Sequence, residues 1–204
     1  MVSVNILEYL EYQPFNVSTL LLAYRTGWFP MGDPDTKEIY WHSPQYRAVF
    51  PLQDLDFSKS LKKTVSKGTF SIKFNTAFEQ VIKACAHRAD TWITEPIIDT
   101  YIQLHIQGYA HSVETYVDET LVGGLYGVSI GSAFFGESMF SSLNDASKVA
   151  FYGLVQQLRL KNYTLLDSQY LNDFTEQLGA GEINRSEYLS LLSKALIQEC
   201  IFLP

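Results

Sequence analysis

Five glycines interrupt one apolar stretch of the sequence, between residues 121 and 136. The stretch predicts two strands, 121–130 and 132–136, which turn at Gly131. Glycine is costly inside a strand unless a neighbouring backbone or a ligand must come close. The pattern therefore indicates either bulges that bend a sheet or a strand surface against which a ligand lies, and the sequence alone fits both interpretations.

Regular helix and strand patterns lie on both sides of this stretch. Helical spacing of apolar residues predicts five helices, at 58–66, 78–85, 97–105, 144–160 and 187–196. Alternating or short apolar runs predict three further strands, at 70–74, 110–117 and 163–167. Helices and strands in this order predict an α+β fold, in which a mixed sheet is flanked by helices.

The first part of the chain differs from the rest in composition. Residues 14–51 contain seven glycines and prolines, which are Pro14, Gly27, Pro30, Gly32, Pro34, Pro44 and Pro51. We therefore expect a small, irregular N-terminal domain at 1–52 and a larger domain at 53–204. One short helix is expected in the small domain at 18–24, with Ser18 as its N-cap and Gly27 at its end.

The length, composition and net charge of the chain limit the class of protein to which it can belong. A chain of 204 residues with 47% hydrophobic residues can bury a full core, so disorder is not expected. Its two cysteines, Cys85 and Cys200, have no metal-binding spacing. The sequence begins without a signal-peptide pattern, and no apolar run reaches the roughly 20 residues that cross a bilayer. We therefore expect a cytoplasmic protein without membrane segments.

The net charge of −7 argues against non-specific nucleic-acid binding, although a local basic patch can override the total.

Three polar residues are candidates for chemistry. Glu137 lies between Gly136 and Ser138 in a very apolar stretch, where a carboxylate is either paired structurally or poised for function. Asp167 and Gln169 lie two positions apart at a predicted strand end, so they share a face and the carboxylate can orient the amide. The alternative for this pair is a strand-end turn with solvated polar groups.

Several strings of the sequence occur together in one known family. They are Tyr24-Arg-Thr-Gly-Trp-Phe-Pro, Trp41-His-Ser-Pro-Gln-Tyr-Arg, Thr91-Trp-Ile-Thr, His111-Ser-Val-Glu-Thr-Tyr, Leu121-Val-Gly-Gly-Leu-Tyr-Gly-Val, Phe134-Phe-Gly-Glu-Ser-Met-Phe-Ser, Asp145-Ala-Ser-Lys, Leu165-Leu-Asp-Ser-Gln and Leu178-Gly-Ala. Between residues 18 and 190 the chain resembles the leucyl/phenylalanyl-tRNA–protein transferase family. The resemblance implies a small N-terminal domain and a larger acyl-CoA N-acyltransferase-like domain.

The resemblance also implies an activity. Family members move Leu, Phe or Met from aminoacyl-tRNA to proteins that begin with Arg or Lys, which marks those proteins for N-end rule degradation. No CoA, metal or other cofactor is expected. Three alternatives remain: an acetyl-CoA-dependent enzyme, a non-catalytic RNA-binding protein, and a transferase of Arg onto acidic N-termini. The sequence lacks a phosphate-binding glycine motif for CoA, and an apolar pocket disfavours Arg as the donor.

A substrate site follows from the same resemblance. The aminoacyl side chain is expected in an apolar pocket formed by Leu125, Phe134, Phe151, Leu154, Leu158 and Leu166. Without the resemblance, the simpler interpretation of these residues is core packing. Trp92 matches a residue that stacks on the terminal adenosine of the tRNA, and the opposite stacking position, often Trp in the family, is Met31. Asn172 is expected to support the adjoining loop.

A basic cluster is the candidate surface for the tRNA. Five lysines and no acidic residue lie between residues 57 and 78. Four of them, Lys59, Lys62, Lys63 and Lys67, are spaced to share one side of a helix. In the family a cluster at this position holds the 3′ acceptor arm by its phosphates, and such contacts ignore tRNA sequence. A solvated surface is the alternative interpretation.

An amine that attacks an ester needs positioning more than a strong base, because an appreciable fraction of α-amine is already neutral at about pH 7. We therefore expect Asp167 to orient Gln169, whose carbonyl accepts a hydrogen bond from the attacking amine. Glu137 is expected beside the aminoacyl group, where it helps to place an amino group or the basic side chain of the acceptor.

Overall fold

The structure is a computed structural model that describes residues 5–88 and 90–203. Eight helices form within these residues: α1 (Ile6–Glu11), α2 (Val17–Arg25), α3 (Lys59–Ser66), α4 (Phe78–Ala86), α5 (Glu95–Ile106), α6 (Ala146–Leu160), α7 (Asp173–Gln177) and α8 (Arg185–Leu196). Nine strands accompany them: β1 (Phe29–Gly32), β2 (Ile39–His42), β3 (Tyr46–Phe50), β4 (Ser71–Phe74), β5 (Ala110–Val117), β6 (Thr120–Ile130), β7 (Ala133–Ser141), β8 (Leu165–Gln169) and β9 (Gly181–Asn184). Over the same residues, no helix is both long and apolar enough to span a membrane.

Seven of these strands form one sheet, in the order β4-β5-β6-β7-β8-β3-β9. Its neighbouring strands are antiparallel except for β7 and β8, which run parallel and are connected through α6. A parallel pair needs such a crossover, whereas antiparallel neighbours can be joined by a tight turn. β1 and β2 form a separate hairpin. This arrangement confirms the predicted α+β class, in which a mixed sheet is flanked by helices and the N-terminal part is small.

Helices cover both faces of the large sheet. One layer of the core joins α4 and α5 to the sheet, and the other joins α6 to it. Successive residues of a strand enter different layers because their side chains alternate. Tyr126 and Phe135 thus lie in the first layer, whereas Leu125 and Phe134 lie in the second.

The parallel strands β7 and β8 pair over only three residues of each strand, and this pairing ends at Phe135 and Asp167. Beyond this point β7 continues to Ser141 and β8 continues to Gln169. The two strands therefore separate, and an open cavity lies between their unpaired ends. This separation determines where the candidate site lies.

The regular elements predicted between residues 58 and 196 are present, with ends that differ by a few residues. β7 is longer than the predicted strand at 132–136. Helix α2 is capped by Asn16, whose side chain accepts a hydrogen bond from the backbone N–H of Thr19 over 3.0 Å, and not by the predicted Ser18. The sequence patterns do not predict α1, α7, β1, β2, β3 or β9, because each of these elements is too short to show a period.

β3 lies inside the stretch predicted as the N-terminal domain, yet it pairs with β8 and β9 in the large sheet. The predicted division of the chain into 1–52 and 53–204 stays a prediction. The pairing of β3 favours a boundary before Tyr46.

Close packing accounts for most glycines of the 121–136 stretch. A Cβ on Gly123 would lie 2.6 Å from the Cβ of Ala146, at the start of α6. A Cβ on Gly127 would lie 2.3 Å from the carbonyl oxygen of Phe135, next to an irregularity in the pairing of β6 with β7. Gly136, by contrast, lines the open cavity. Both interpretations of the glycines therefore apply, to different positions.

Candidate active site

The cavity between β7 and β8 has a volume of about 520 Å³ and one predominantly apolar wall. Four of the six predicted pocket residues form part of this wall, and they are Leu125, Phe151, Leu154 and Leu166. The sheet contributes Leu125 from β6 and Leu166 from β8, whereas α6 contributes the other two. The four side chains meet because α6 packs on the face of the sheet to which these strand residues point.

Phe134 and Leu158 do not belong to this wall. Phe134 is fully buried and stacks on Phe202, with ring centroids 5.5 Å apart. Leu158 is also fully buried and lies one turn beyond Leu154 on α6. The predicted pocket is corrected at both positions: they are core residues, because other side chains of the α6 layer cover them.

Glu137 lies at the polar end of the cavity and accepts three hydrogen bonds. The hydroxyl of Tyr24 donates to its Oε1 over 2.6 Å, and the hydroxyl of Tyr101 donates to its Oε2 over 3.2 Å. The side-chain Nε2 of Gln169 donates to Oε1 over 3.0 Å. Burial raises the pKa of Glu137 to about 7, against the opposing effect of the two tyrosine hydrogen bonds. Glu137 can therefore exchange a proton near neutral pH, as a group that assists proton transfer must.

Asp167 belongs to a buried ion pair with Arg47. Nε of Arg47 donates to Oδ1 of Asp167 over 2.9 Å, and Nη2 donates to Oδ2 over 2.6 Å. The hydroxyl of Tyr188 donates to the same Oδ2 over 2.7 Å. The guanidinium lies between the rings of Phe29 and Tyr188, at 4.4 and 4.5 Å from their centroids. Burial opposes the charge of Arg47, but the nearby Asp167 carboxylate outweighs it and raises the pKa of Arg47.

The predicted contact between Asp167 and the side-chain amide of Gln169 is absent from the described residues. Oδ1 of Asp167 instead accepts the backbone N–H of Gln169 over 2.9 Å. Gln169 has a left-handed backbone, with φ of 57°, so the chain turns at this residue, where β8 ends. The prediction is corrected: Asp167 fixes the backbone at the end of β8, and Glu137 holds the amide.

A smaller cavity of about 170 Å³ adjoins the first, and Met31, Trp92, Glu137 and Gln169 all line it. The backbone N–H of Gly32 donates to the carbonyl oxygen of Trp92 over 3.0 Å. A Cβ at position 32 would lie 2.5 Å from that oxygen, so the approach requires glycine. The two residues assigned by resemblance to the faces of an adenosine are therefore neighbours across one small cavity.

Comparison with known proteins agrees with this geometry. The family described as Leucyl/phenylalanyl-tRNA protein transferase matches residues 49–193, and its N-terminal domain matches residues 14–45. A Gloeobacter violaceus protein named leucyl/phenylalanyl-tRNA–protein transferase is 51% identical over 90% of this chain and 95% of its own length. This chain belongs to that family.

Two further comparisons concern a second relative and a solved structure. A Prosthecochloris aestuarii protein of the same name is 48% identical, over 92% of the transferase and 99% of its own length. Among solved structures, FemX superimposes with a TM-score of 0.52 at 11% identity, over 86% of the transferase and 70% of FemX. At that identity the likeness to FemX is one of fold alone.

The four predicted tRNA-binding lysines of the transferase are exposed on or just after α3. Lys62 forms an exposed ion pair with Asp56. The lysines Lys59, Lys62, Lys63 and Lys67 do not line either cavity. They lie on a helix that packs against α6, and α6 forms part of the apolar wall.

Two arginines of the transferase site are missing from the predicted set. Arg47 gives no detectable signal, because its strand β3 is too short to be predicted and its partner Asp167 is 120 positions away. Arg88 gives no signal in the sequence either, because it follows α4 in an irregular segment. It lines the large cavity, and its Nη2 donates to the hydroxyl of Ser138 over 2.5 Å. Asn172 lines both cavities and caps α7, accepting the backbone N–H of Thr175 over 2.9 Å.

Proposed function

We propose that the transferase moves Leu, Phe or Met from aminoacyl-tRNA to the N-terminal Arg or Lys of acceptor proteins. In this proposal the products enter N-end rule degradation in the cytoplasm, and no metal or other cofactor takes part. The observation that carries the proposal is an apolar cavity of about 520 Å³ that ends at the Glu137–Gln169 hydrogen bond. The names of the relatives support Leu and Phe as donors and a protein as the acceptor.

The apolar wall would bind the donor side chain. Burying a Leu, Phe or Met side chain contributes roughly 1.5–3 kcal/mol. A charged side chain would lose its hydration there without gaining a partner on the Leu125, Leu154 and Leu166 side of the cavity. Such a wall separates side chains by size only weakly, by roughly 10- to 200-fold for one methylene. Several apolar amino acids are therefore expected as donors.

The polar end would place the attacking amine. The ester carbon of the aminoacyl group must lie between the apolar wall and Gln169, because its side chain occupies that wall. The amine nitrogen then attacks the carbonyl carbon and loses a proton, while the bond to the 3′ oxygen of the ribose breaks and that oxygen gains a proton. The carbonyl of Gln169 would accept a hydrogen bond from the amine, and Glu137, with its pKa raised to about 7 by burial, could take up a proton. Positioning of this kind can supply a large share of the rate enhancement.

The smaller cavity would bind the end of the tRNA. Trp92 offers an aromatic face, and Met31 offers a polarisable thioether on the other side of the same space. Base stacking on an aromatic side chain contributes roughly 1–3 kcal/mol. The exposed lysines of α3 would contact the phosphates of the acceptor arm, and that contribution should weaken as salt rises.

A transfer assay tests the proposal. Labelled Leu-, Phe-, Met- and Arg-tRNA are incubated separately with peptides that begin with Arg, Lys or Asp. We expect the apolar donors to label the Arg and Lys peptides, and N-terminal acetylation of those peptides to abolish labelling because it removes the nucleophile. Labelling of the Asp peptide alone, or of no peptide, would overturn the proposal.

A further inference from the structure

Tyr170 is a residue of the smaller cavity to which neither the reaction nor the family resemblance assigns a role. It follows Gln169 and lines this cavity together with Met31 and Trp92. The left-handed backbone of Gln169 turns the chain at this point, so that Tyr170 leaves β8 at the cavity. Tyr170 is 42% exposed, so part of its surface is accessible to a ligand.

Two aromatic neighbours fix the orientation of this ring. The hydroxyl of Tyr170 hydrogen-bonds to Nδ1 of His42 over 3.0 Å. Phe29 meets the Tyr170 ring edge-on, with centroids 5.5 Å apart, and the His42 ring also lies edge-on to it, at 6.1 Å. Burial lowers the pKa of His42, which favours the neutral ring, and the Nδ1 of a neutral ring can accept the phenol hydrogen. An ordered ring loses little side-chain entropy when a ligand stacks on it.

The chemistry of the cavity favours a flat heterocycle as its occupant. With a volume of about 170 Å³ it is smaller than an ordinary ligand pocket, so it suits one ring system of a larger ligand. An indole, a thioether and a phenol ring offer apolar faces, while Gln169 and Asn172 offer polar groups at the edge. Stacking surfaces combined with a few polar groups are typical of nucleobase sites.

We propose that Tyr170 is a donor-binding residue, which supplies an aromatic surface to the terminal nucleoside of the aminoacyl-tRNA. The inference rests on the proposed donor. It adds an aromatic contact at the edge of the base, whose two faces are assigned to Trp92 and Met31; of that pair the thioether is the more flexible and weaker partner. Tyr170 acts in binding, so its loss should raise the KM for aminoacyl-tRNA much more than it lowers kcat.

A direct binding measurement tests Tyr170 independently of transfer. The probe is 3′-deoxy-3′-(leucylamino)adenosine, whose amide bond does not hydrolyse, and the companion probe is the same compound without its base. In Tyr170→Ala the adenosine probe should bind roughly 5- to 100-fold more weakly than in the wild type. The probe without a base should bind equally to both proteins. Tyr170→Phe keeps the ring and should stay within about threefold of the wild type.

Tyr46→Ala is the matched control, because Tyr46 is an exposed tyrosine of β3 that lines neither cavity. Equal affinity of Tyr170→Ala and wild type for the adenosine probe would overturn the inference. So would an equal loss for both probes, or a rise in KM confined to the acceptor peptide, which would assign the cavity to the peptide. A wild type that binds the adenosine probe in a Tyr170-dependent way but transfers no amino acid would reject the proposed function and leave the stacking role intact.

Discussion

The side-chain nitrogen of Gln169 lies 3.0 Å from Oε1 of Glu137, across the gap where β7 and β8 have separated. The NH₂ group of the amide faces Glu137, which also accepts hydrogen bonds from the hydroxyls of Tyr24 and Tyr101. The carbonyl oxygen of Gln169 is on the opposite side of the amide, where it can accept a hydrogen bond from a substrate. This hydrogen bond therefore determines how the amide is oriented, and with it that an incoming amine meets the carbonyl oxygen of Gln169.

Removal of the Gln169 side chain should slow transfer without abolishing it. An amide is a poor base, so its contribution is to position the amine, and Gln169→Ala should lower kcat by roughly 10- to 100-fold. Single-turnover transfer from Leu-tRNA measures this effect, with Gln156→Ala on the exposed side of α6 as the control. A loss beyond roughly a millionfold would instead indicate true base catalysis at this position.

The carboxyl of Glu137 should make stability depend on pH in a predictable direction. Burial raises its pKa from 4.5 to about 7 in the folded protein. Between these values the unfolded chain has released the proton and the folded protein still binds it, so this group lowers the free energy of unfolding as pH rises. Its stabilising contribution is complete below pH 4.5 and is lost as pH rises through about 7.

Urea unfolding of the wild type and Glu137→Gln at about pH 5 and about pH 8 checks this expectation. The variant should gain stability relative to the wild type at the higher pH, because Gln cannot ionise. Glu119→Gln, which changes an exposed residue of the β5–β6 turn, should keep the pH dependence of the wild type. The same slope in the wild type and Glu137→Gln would show that another group is responsible.

The buried pair of Arg47 and Asp167 should be sensitive to the loss of either partner alone. Both side chains are almost fully buried, so Asp167→Asn leaves an unpaired guanidinium and should cost about 3–5 kcal/mol. The double variant Arg47→Met with Asp167→Leu should cost much less than the sum of Arg47→Met alone and Asp167→Leu alone, because it removes both charges. Urea unfolding of the double-mutant cycle measures the coupling, and strict additivity would contradict it.

An exposed pair provides the comparison. Lys83 and Glu79 form an ion pair on the surface of α4, where water screens both charges. Glu79→Gln should therefore change the stability little.

If Asp167→Asn lowers activity only in proportion to the unfolded fraction, Asp167 acts by fixing the end of β8, as its hydrogen bond to the Gln169 backbone indicates.

The sequence predicts the helices and strands that are long enough to show a regular spacing of apolar residues. It also predicts which side chains face the core, where that spacing determines their side of a helix or strand. Leu125 and Leu166 are examples, since strand alternation assigns each to one layer of the core. Arg47 escapes such reasoning because its partner is 120 positions away in sequence and its strand is only five residues long. The partner of the Gln169 amide could not be predicted either, because it depends on the left-handed backbone of Gln169 and on how far β7 extends beyond its pairing with β8.

The same limit explains why Phe134 and Leu158 are expected in the apolar wall but lie outside it. Leu154 and Leu158 lie on the same side of α6, and nothing in helical spacing distinguishes one from the other. The distinction comes from the separation of β7 and β8, which opens a cavity beside Leu154 only. This difference between two otherwise equivalent leucines allows a sharp test of where the donor side chain binds.

Leu154→Ala and Leu158→Ala form a matched pair for that test. Both leucines are at most 1% exposed, so each truncation should cost roughly 2–5 kcal/mol of unfolding free energy. Leu154→Ala should also enlarge the cavity and shift the ratio of kcat/KM for Phe-tRNA over Leu-tRNA upward by roughly tenfold. Leu158→Ala should leave this ratio unchanged, because its side chain does not reach the cavity. Competition between the two donors for one Arg-starting peptide measures the ratio directly, and the ratio is insensitive to the amount of folded enzyme. An equal shift in both variants, or in neither, would mean that the donor side chain binds elsewhere.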